Sequence, residues 1–312
     1  MAKHFAQESA VQFLTTRFGA QAGQSVAELG GGDWSRAYFF TSAGRSLVAR
    51  FGNYVEDFEK DRQAMRFAST YLPVPKILEI GEAPEGYYAI SERHEGLFLE
   101  SLSEEQWQRV LPALLRGLSA LREIPMGGGI DWADPTSHTG WHEWLLSSLI
   151  DEGEGRVSGW RKRLKQLPHC ERVFVEGERC LRSLLLFCPE IRHVIHRDLL
   201  NRNVLVSFDA TQLEAVFDWG CSLAGDFVYE LAWFTFWSPW HPAIESLNLR
   251  QTIHAYYADI GLEVENFEQR LSAYELQIGL EHIAYCAFSD RPTDLEDVTQ
   301  ATEKVLQRLS AV

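Results

Sequence analysis

Two polar clusters, separated by the length of a β-hairpin, constrain this chain more than anything else in it. The first is His196-Arg197-Asp198, followed by Asn203 in "VIHRDLLNRNVLV". The second is Asp218-Trp219-Gly220 in "AVFDWG". Between them lie two apolar runs, "VLVSF" and "LEAVF", joined by the turn "DATQ". Antiparallel strands with a short connection return the chain to the end where it started. Asp218 is therefore expected beside the loop that carries Asp198 and Asn203. A hard cation such as Mg²⁺ takes carboxylate and carbonyl oxygens, usually together with substrate phosphates. Asn203 and Asp218 suit that role, which leaves Asp198 to orient and deprotonate an attacking hydroxyl.

This division of labour is that of phosphoryl transfer in the protein-kinase pattern. The alternative is that three polar residues cap an ordinary hairpin, and the downstream Asp-x-Gly favours the catalytic reading. His196 reads as a structural residue of the loop. Nearer the N-terminus, Gly30, Gly31, Gly32 and Ser35 lie between two strand candidates. Glycines let backbone N–H groups approach phosphate oxygens, although a plain hairpin turn would use the same residues. No G-x-x-x-x-G-K-[ST] motif occurs, which excludes a Walker P-loop. The third strand ends in Val48-Ala49-Arg50. Protein kinases carry a Lys there, paired with a helix Glu. Here Arg50 would clamp phosphate, and Asp61 is the matching acid. A structural Arg50–Asp61 pair is the competing reading.

Composition narrows the classes. The chain has 312 residues, 46% of them hydrophobic, enough to bury a sizeable core. Its net charge is 29 − 44 = −15, which argues against binding a nucleic-acid backbone and for attracting cations. Five cysteines without a C-x-x-C pair suggest reduced thiols and a cytoplasmic setting. The N-terminus lacks the apolar stretch of a signal peptide, and the run around "VYELAWFTFWSPW" is too short to span a bilayer. Basic residues 161–165 read as a solvated face.

The element pattern predicts an α+β fold of two lobes. Residues 1–93 form a small β-rich lobe with the phosphate loop. Residues 94–312 form a larger, mostly helical lobe with the catalytic loop and metal site. Helices are expected over 4–18 and 172–188, and Ser103 with Gln106 forms a capping box. Pro112 falls inside an apolar helical repeat and predicts a kink or a late helix start.

Four segments resemble the aminoglycoside phosphotransferase family, and within it the hygromycin B phosphotransferase branch. They are "KDRQAMRFAS…LPVPKILEIGE", "CPEIRHVIHRDLLNRNVL", "AVFDWGCSLAGDFVYELAWFTFWSPW" and "RLSAYELQIGLEHI". The loop from Gly127 to Gly140 and the tail after Ser289 do not match. The resemblance covers most of the chain and implies a protein-kinase-like fold. It also implies ATP (or GTP) with Mg²⁺, and a monomer that transfers phosphate to a hydroxyl of a cationic small molecule. Arg in place of the kinase Lys is common among such relatives. The adenine is expected at the lobe junction, near Glu92, Arg93 and His94. Asp226 is expected to brace the catalytic loop. Glu230 and Glu281 are acceptor-binding candidates, and buried structural acids are the alternative. Ten acids against two bases between Glu263 and Glu303 would draw a polycation. Trp233, Trp237 and Trp240 are core or line the sugar site. Two rivals remain: the same chemistry on a macrolide, sugar or amino alcohol, and a non-catalytic nucleotide binder.

Overall fold

Alternation builds the N-terminal half. The computed structural model describes residues 5–126, 140–151 and 155–310. After helices α1 (Gln7–Phe18) and α2 (Ala20–Gln24) come five strands. These are β1 (Ala27–Gly31), β2 (Ser35–Ser42), β3 (Arg45–Gly52), β4 (Ile77–Ala83) and β5 (Gly86–Glu92). They form one antiparallel sheet in the order β1-β2-β3-β5-β4. Side chains alternate across a strand, so Leu47, Ala49 and Phe51 of β3 share one face. There they join Tyr38 and Phe40 of β2 and Phe5, Ala10 and Leu14 beside the sheet in one core. Arg50 consequently lies on the other face, under helix α3 (Val55–Ala64), with its guanidinium 4.9 Å from the Phe58 ring.

The remaining elements are mostly helical. They are β6 (Leu97–Phe98), α4 (Glu104–Arg122), α5 (Trp141–Ser147), α6 (Trp160–Leu164) and α7 (Pro168–Leu184). Next come β7 (His193–Ile195), β8 (Val204–Val206), β9 (Leu213–Val216) and β10 (Leu223–Gly225). Helices α8 (Val228–Trp237), α9 (Pro242–Glu245), α10 (Leu249–Asp259), α11 (Phe267–Ser289) and α12 (Pro292–Ser310) complete the order. Helices α8 and α11 are both buried nearly all round; α8 is almost continuously apolar, whereas α11 also buries Arg270, Ser272, Glu275 and Gln277.

The described residues divide into two compact units. The sheet unit runs to residue 102 and adds 109–120 and 201–222; the helical unit comprises 103–108, 121–200 and 223 onward. Strands β8 and β9 thus group with the sheet, and one unit boundary falls between Leu200 and Asn201.

Local expectations fare unevenly. The capping box forms: Ser103 N–H donates to Gln106 Oε1 at 2.9 Å, and Gln106 N–H to Ser103 Oγ at 3.3 Å. The first helix starts at Gln7 rather than at residue 4, and α7 starts at Pro168 rather than 172. Proline is favoured in a first turn, where its missing N–H has no intrahelical acceptor to lose. A late start at Pro112 is overturned, because α4 runs through it from Glu104. The amphipathic face of α4 outweighs one lost backbone bond, with Trp107, Val110, Leu114 and Leu121 buried. The loop expected over 127–140 falls outside the described residues except for Gly140.

Candidate active site

In the sheet unit, the hairpin register places the expected metal ligands side by side. Val204 pairs with Val216, and Phe217 N–H donates to the Asn203 carbonyl at 3.0 Å. Asn203 is therefore opposite Phe217 and next to Asp218. Asp218 is in the left-handed region at φ 62°. Asp tolerates this region better than most residues but still needs local support.

That support comes from α3 and β3. Arg50 pairs with Asp61 and reaches Asp218 Oδ1 with Nη1 at 3.1 Å. Asp61 turns its other oxygen, Oδ1, to the Trp219 N–H at 2.7 Å. Burial holds Asp61 at about 6, above the ordinary carboxylate range and against the pull of Arg50. Asp57 adds a third negative charge around Arg50. Lys60 donates from Nζ to the carbonyls of Gly220 at 2.9 Å and Ser222 at 2.8 Å. Three carboxylates, Asp218, Asp61 and Asp57, thus surround Arg50. The surplus negative charge and the carboxylate–amide donor set fit a divalent cation shared with phosphate oxygens. Among the described residues no group of three or more His, Cys, Asp or Glu side chains could hold a metal alone. A metal that completes its shell with substrate phosphates does not need one.

The glycine turn departs from a bare phosphate cradle. Gly30 has φ 134°, and a side chain at Gly31 would meet Arg36 Cγ at 2.7 Å and the Ser35 carbonyl at 2.8 Å. The Gly32 N–H is already donated to the Ser35 carbonyl at 3.0 Å. At the junction, the backbone N–H groups of Glu92 and Arg93 go to the carbonyls of Lys76 at 3.0 Å and Ser46 at 3.3 Å. The Glu92 side chain pairs with Arg45 at 2.9 Å, and the Arg93 guanidinium lies 4.3 Å from the Phe39 ring. His94 follows, half-buried and outside the sheet.

In the helical unit, half-buried Asp198 sits in a loop organised around Arg197. Arg197 has φ 67°, and its N–H donates to Glu230 Oε1 at 2.7 Å. Its Nη2 binds both oxygens of Glu281, at 2.9 and 2.7 Å. Its guanidinium lies 4.4 Å from the Trp144 ring. The two acids proposed for the acceptor therefore converge on one loop arginine. Glu230 is 2% exposed. Burial pushes it to about 7, while the backbone N–H groups of Arg197 and His196 pull the other way. Glu281 differs: burial would raise it, but the charges of Arg197 and His282 and the hydrogen bonds from Arg197 and Gln277 together hold it below the usual range. Asp226, expected to brace the loop, has its hydrogen-bond partners on other elements. It binds Arg270 at 2.8 and 2.6 Å and Tyr274 at 2.6 Å, next to β10, which pairs with β7 just before His196.

Beside Glu281, the His282 ring lies between Trp233 and Trp237, with centroids 5.4 and 4.7 Å away. Its Nδ1–H donates to the Ile278 carbonyl at 2.8 Å, and burial lowers its basicity. The indole N–H groups of Trp233 and Trp237 are buried without an acceptor among the described residues. Much of the C-terminal acid run is paired internally. Buried Glu275 holds Arg250 and Arg308, and Glu303 holds Arg172 at 2.6 Å. The basic stretch is partly used as well, since Arg163 donates to the carbonyls of Ala287 and Phe288 at 3.1 and 3.0 Å.

Sequence reasoning missed Lys60, Trp144 and Glu100. Glu100 Oε1 accepts the N–H of Arg202, between Asn201 and Asn203, at 2.6 Å. Their signal is weak. A Lys beside Asp61 on one helical turn was visible, but its target lies 160 residues away.

Comparison with known proteins bears on this geometry. A family model described as "Phosphotransferase enzyme family" matches residues 25–265. Hygromycin-B 4-O-kinase from Escherichia coli is 31% identical over 290 residues, 88% of this chain and 78% of that one. A crystal structure of a thermostable mutant of aminoglycoside phosphotransferase APH(4)-Ia, with AMP-PNP and hygromycin B, superposes with a TM-score of 0.78. It is 26% identical and covers 96% of this chain and 98% of that one. The GDP complex of aminoglycoside 2′-phosphotransferase-IIIa shares the fold alone, at 15% identity, a TM-score of 0.67 and coverage of 96% and 98%.

Proposed function

The chain belongs to the phosphotransferase enzyme family, and on that premise we propose that it moves the γ-phosphoryl group of ATP to a hydroxyl of an aminoglycoside. Hygromycin B is the first acceptor to test, because a hygromycin-B kinase is 31% identical over 88% of the chain. The observation that carries the reading is Arg50, bound to Asp61 and reaching Asp218 in the sheet unit. It puts a phosphate-clamping cation against the expected metal carboxylate.

In this reading Asp198 accepts the proton of the acceptor hydroxyl. The hydroxyl oxygen forms the new bond to the γ-phosphorus, the bond to the bridging oxygen breaks, and ADP leaves. Asn203 and Asp218 would hold Mg²⁺, which when bound neutralises phosphate charge. Arg50 orients the phosphates, and Asp61 orients Arg50. The glycine turn, Gly30, Gly31, Gly32 and Ser35, covers the phosphates with the backbone donors left to it. At the junction, Glu92 and Arg93 shape the strand end. A base there would take its N–H contact from His94 onward, because the two preceding N–H groups are already used.

Glu230 is too buried to meet an acceptor directly, so its role here is to hold the Arg197–Asp198 loop. Glu281, with its side chain 29% exposed, is the better candidate to meet a cationic acceptor. We keep the monomer that the resemblance implies as part of this reading. No described helix is long and apolar enough to cross a membrane, and ATP supply places the work in the cytoplasm.

The test is direct. Purified protein with Mg-ATP and hygromycin B should yield the antibiotic with one added phosphoryl group, read by mass spectrometry. Unchanged hygromycin B and other aminoglycosides, beside a phosphorylated macrolide, sugar or amino alcohol, would move the acceptor class. ATP turnover on no acceptor would refute the reading.

A further inference from the structure

The clamp on the Asp218-Trp219-Gly220 turn extends beyond Asp61, the one residue that the phosphotransferase reading requires of α3. Asp57, Lys60 and Asp61 stand at i, i+3 and i+4, one face of that helix, and all three meet the turn. Asp61 accepts the Trp219 N–H at 2.7 Å. At the turn's other end, Lys60 Nζ donates to the carbonyls of Gly220 at 2.9 Å and Ser222 at 2.8 Å. The backbone at Gly220 approaches Asp57 so closely that a Cβ there would lie 3.0 Å from Asp57 Cγ. Residues 219–221 form a single 3₁₀ turn, with Trp219 fully buried and its indole N–H on the Val216 carbonyl at 3.1 Å. A short helical turn leaves N–H groups at one end and carbonyls at the other. Here a carboxylate meets the first and an ammonium meets the second.

From this we infer that Lys60 is a positioning residue: it fixes the turn that follows Asp218 and so holds the metal-binding carboxylate in its left-handed conformation. The inference rests on the proposed role of Asp218. The contacts that give Lys60 this role are its bonds to the Gly220 and Ser222 carbonyls, so it acts on Asp218 through the backbone of the turn. Its charge also gives the idea a sign. A cation near a metal site repels Mg²⁺, so charge alone predicts tighter Mg²⁺ binding when Lys60 is removed. Positioning predicts weaker binding, because the carboxylate loses its fixed orientation.

The experiment uses the full chain and its Lys60→Met and Lys60→Gln variants. Affinity for AMP-PNP is measured by calorimetry over a series of Mg²⁺ concentrations. Hydrogen–deuterium exchange is followed, without ligand, in peptides spanning 217–223. In Lys60→Met the Mg²⁺ concentration for half-maximal nucleotide binding should rise at least about tenfold, a shift of the size that loss of charge-assisted hydrogen bonds produces. Exchange at 219–222 should quicken while β2 and β3 keep their protection. Lys60→Gln, which retains a donor, should fall between the two, and it carries the test if the Met variant does not fold. An unchanged or lower Mg²⁺ requirement, or unchanged exchange, would overturn the inference while a Mg²⁺-dependent wild type leaves the functional reading standing. A wild type that binds AMP-PNP without regard to Mg²⁺ would overturn both.

Discussion

Glu230→Gln should stabilise this protein more and more as pH rises from 5 to 8. The carboxyl is 2% exposed beneath the catalytic loop, and burial raises it from 4.5 to about 7. Below pH 4.5 it is protonated whether the chain is folded or not, and contributes nothing to the pH dependence. Between 4.5 and about 7 the unfolded chain ionises Glu230 while the native protein retains the proton, so native stability falls as pH rises. At about 1.4 kcal/mol per pH unit, the loss saturates near 3 kcal/mol, an order-of-magnitude figure. Glutamine has no such titration and keeps an acceptor for the Arg197 N–H. Other groups titrate alike in both proteins, so the informative quantity is the stability difference between variant and wild type. Urea unfolding followed by tryptophan fluorescence measures it at several pH values. The difference should grow in favour of Glu230→Gln by about 2 to 3 kcal/mol across that range. A flat difference, or one that grows in favour of wild type, would mean that Glu230 is ionised in the native state and that burial does not govern it.

Asp198→Asn should lower kcat by a factor of about 10² to 10⁴, the range of a lost general base, with nucleotide affinity close to wild type; a variant of near-normal rate would exclude Asp198 as the base. Calorimetry with Mg-AMP-PNP should show Asp218→Ala losing most of its affinity and Asn203→Ala losing less, since a neutral amide contributes less to Mg²⁺ than a carboxylate. Equal, undiminished affinities would argue against both ligands. In steady-state kinetics Glu281→Gln should raise the acceptor KM several-fold more than the ATP KM; a fall in thermal stability alone would assign Glu281 to Arg197 and nothing else. Added salt should raise the aminoglycoside KM only modestly, because many of the C-terminal acids are already paired inside the protein, such as Glu275 with Arg250 and Arg308. A steep salt dependence would point to exposed acids at the acceptor site.

Short-range pattern by itself determined the strands, the hairpin and the placement of its polar ends. Alternation put Leu47, Ala49 and Phe51 on one face of β3 and Arg50 on the other. The hairpin spacing put Asn203 beside Asp218, because strand register counts residues and a short turn admits few registers. Asp61 could be paired with Arg50 from sequence because α3 follows the strand closely. The rest was decided only by tertiary structure. Nothing local to Arg197 says that Glu230, Glu281 and Trp144 will gather around it from three helices. Nothing local to Lys60 names the carbonyls of residues 160 and 162 positions away. Periodicity selects which face of an element is buried, but not which distant element covers it. The ionisation of Glu230 and Asp61 belongs to the same class. The residue type sets the ordinary value, and burial, which exists only once the chain has packed, moves it.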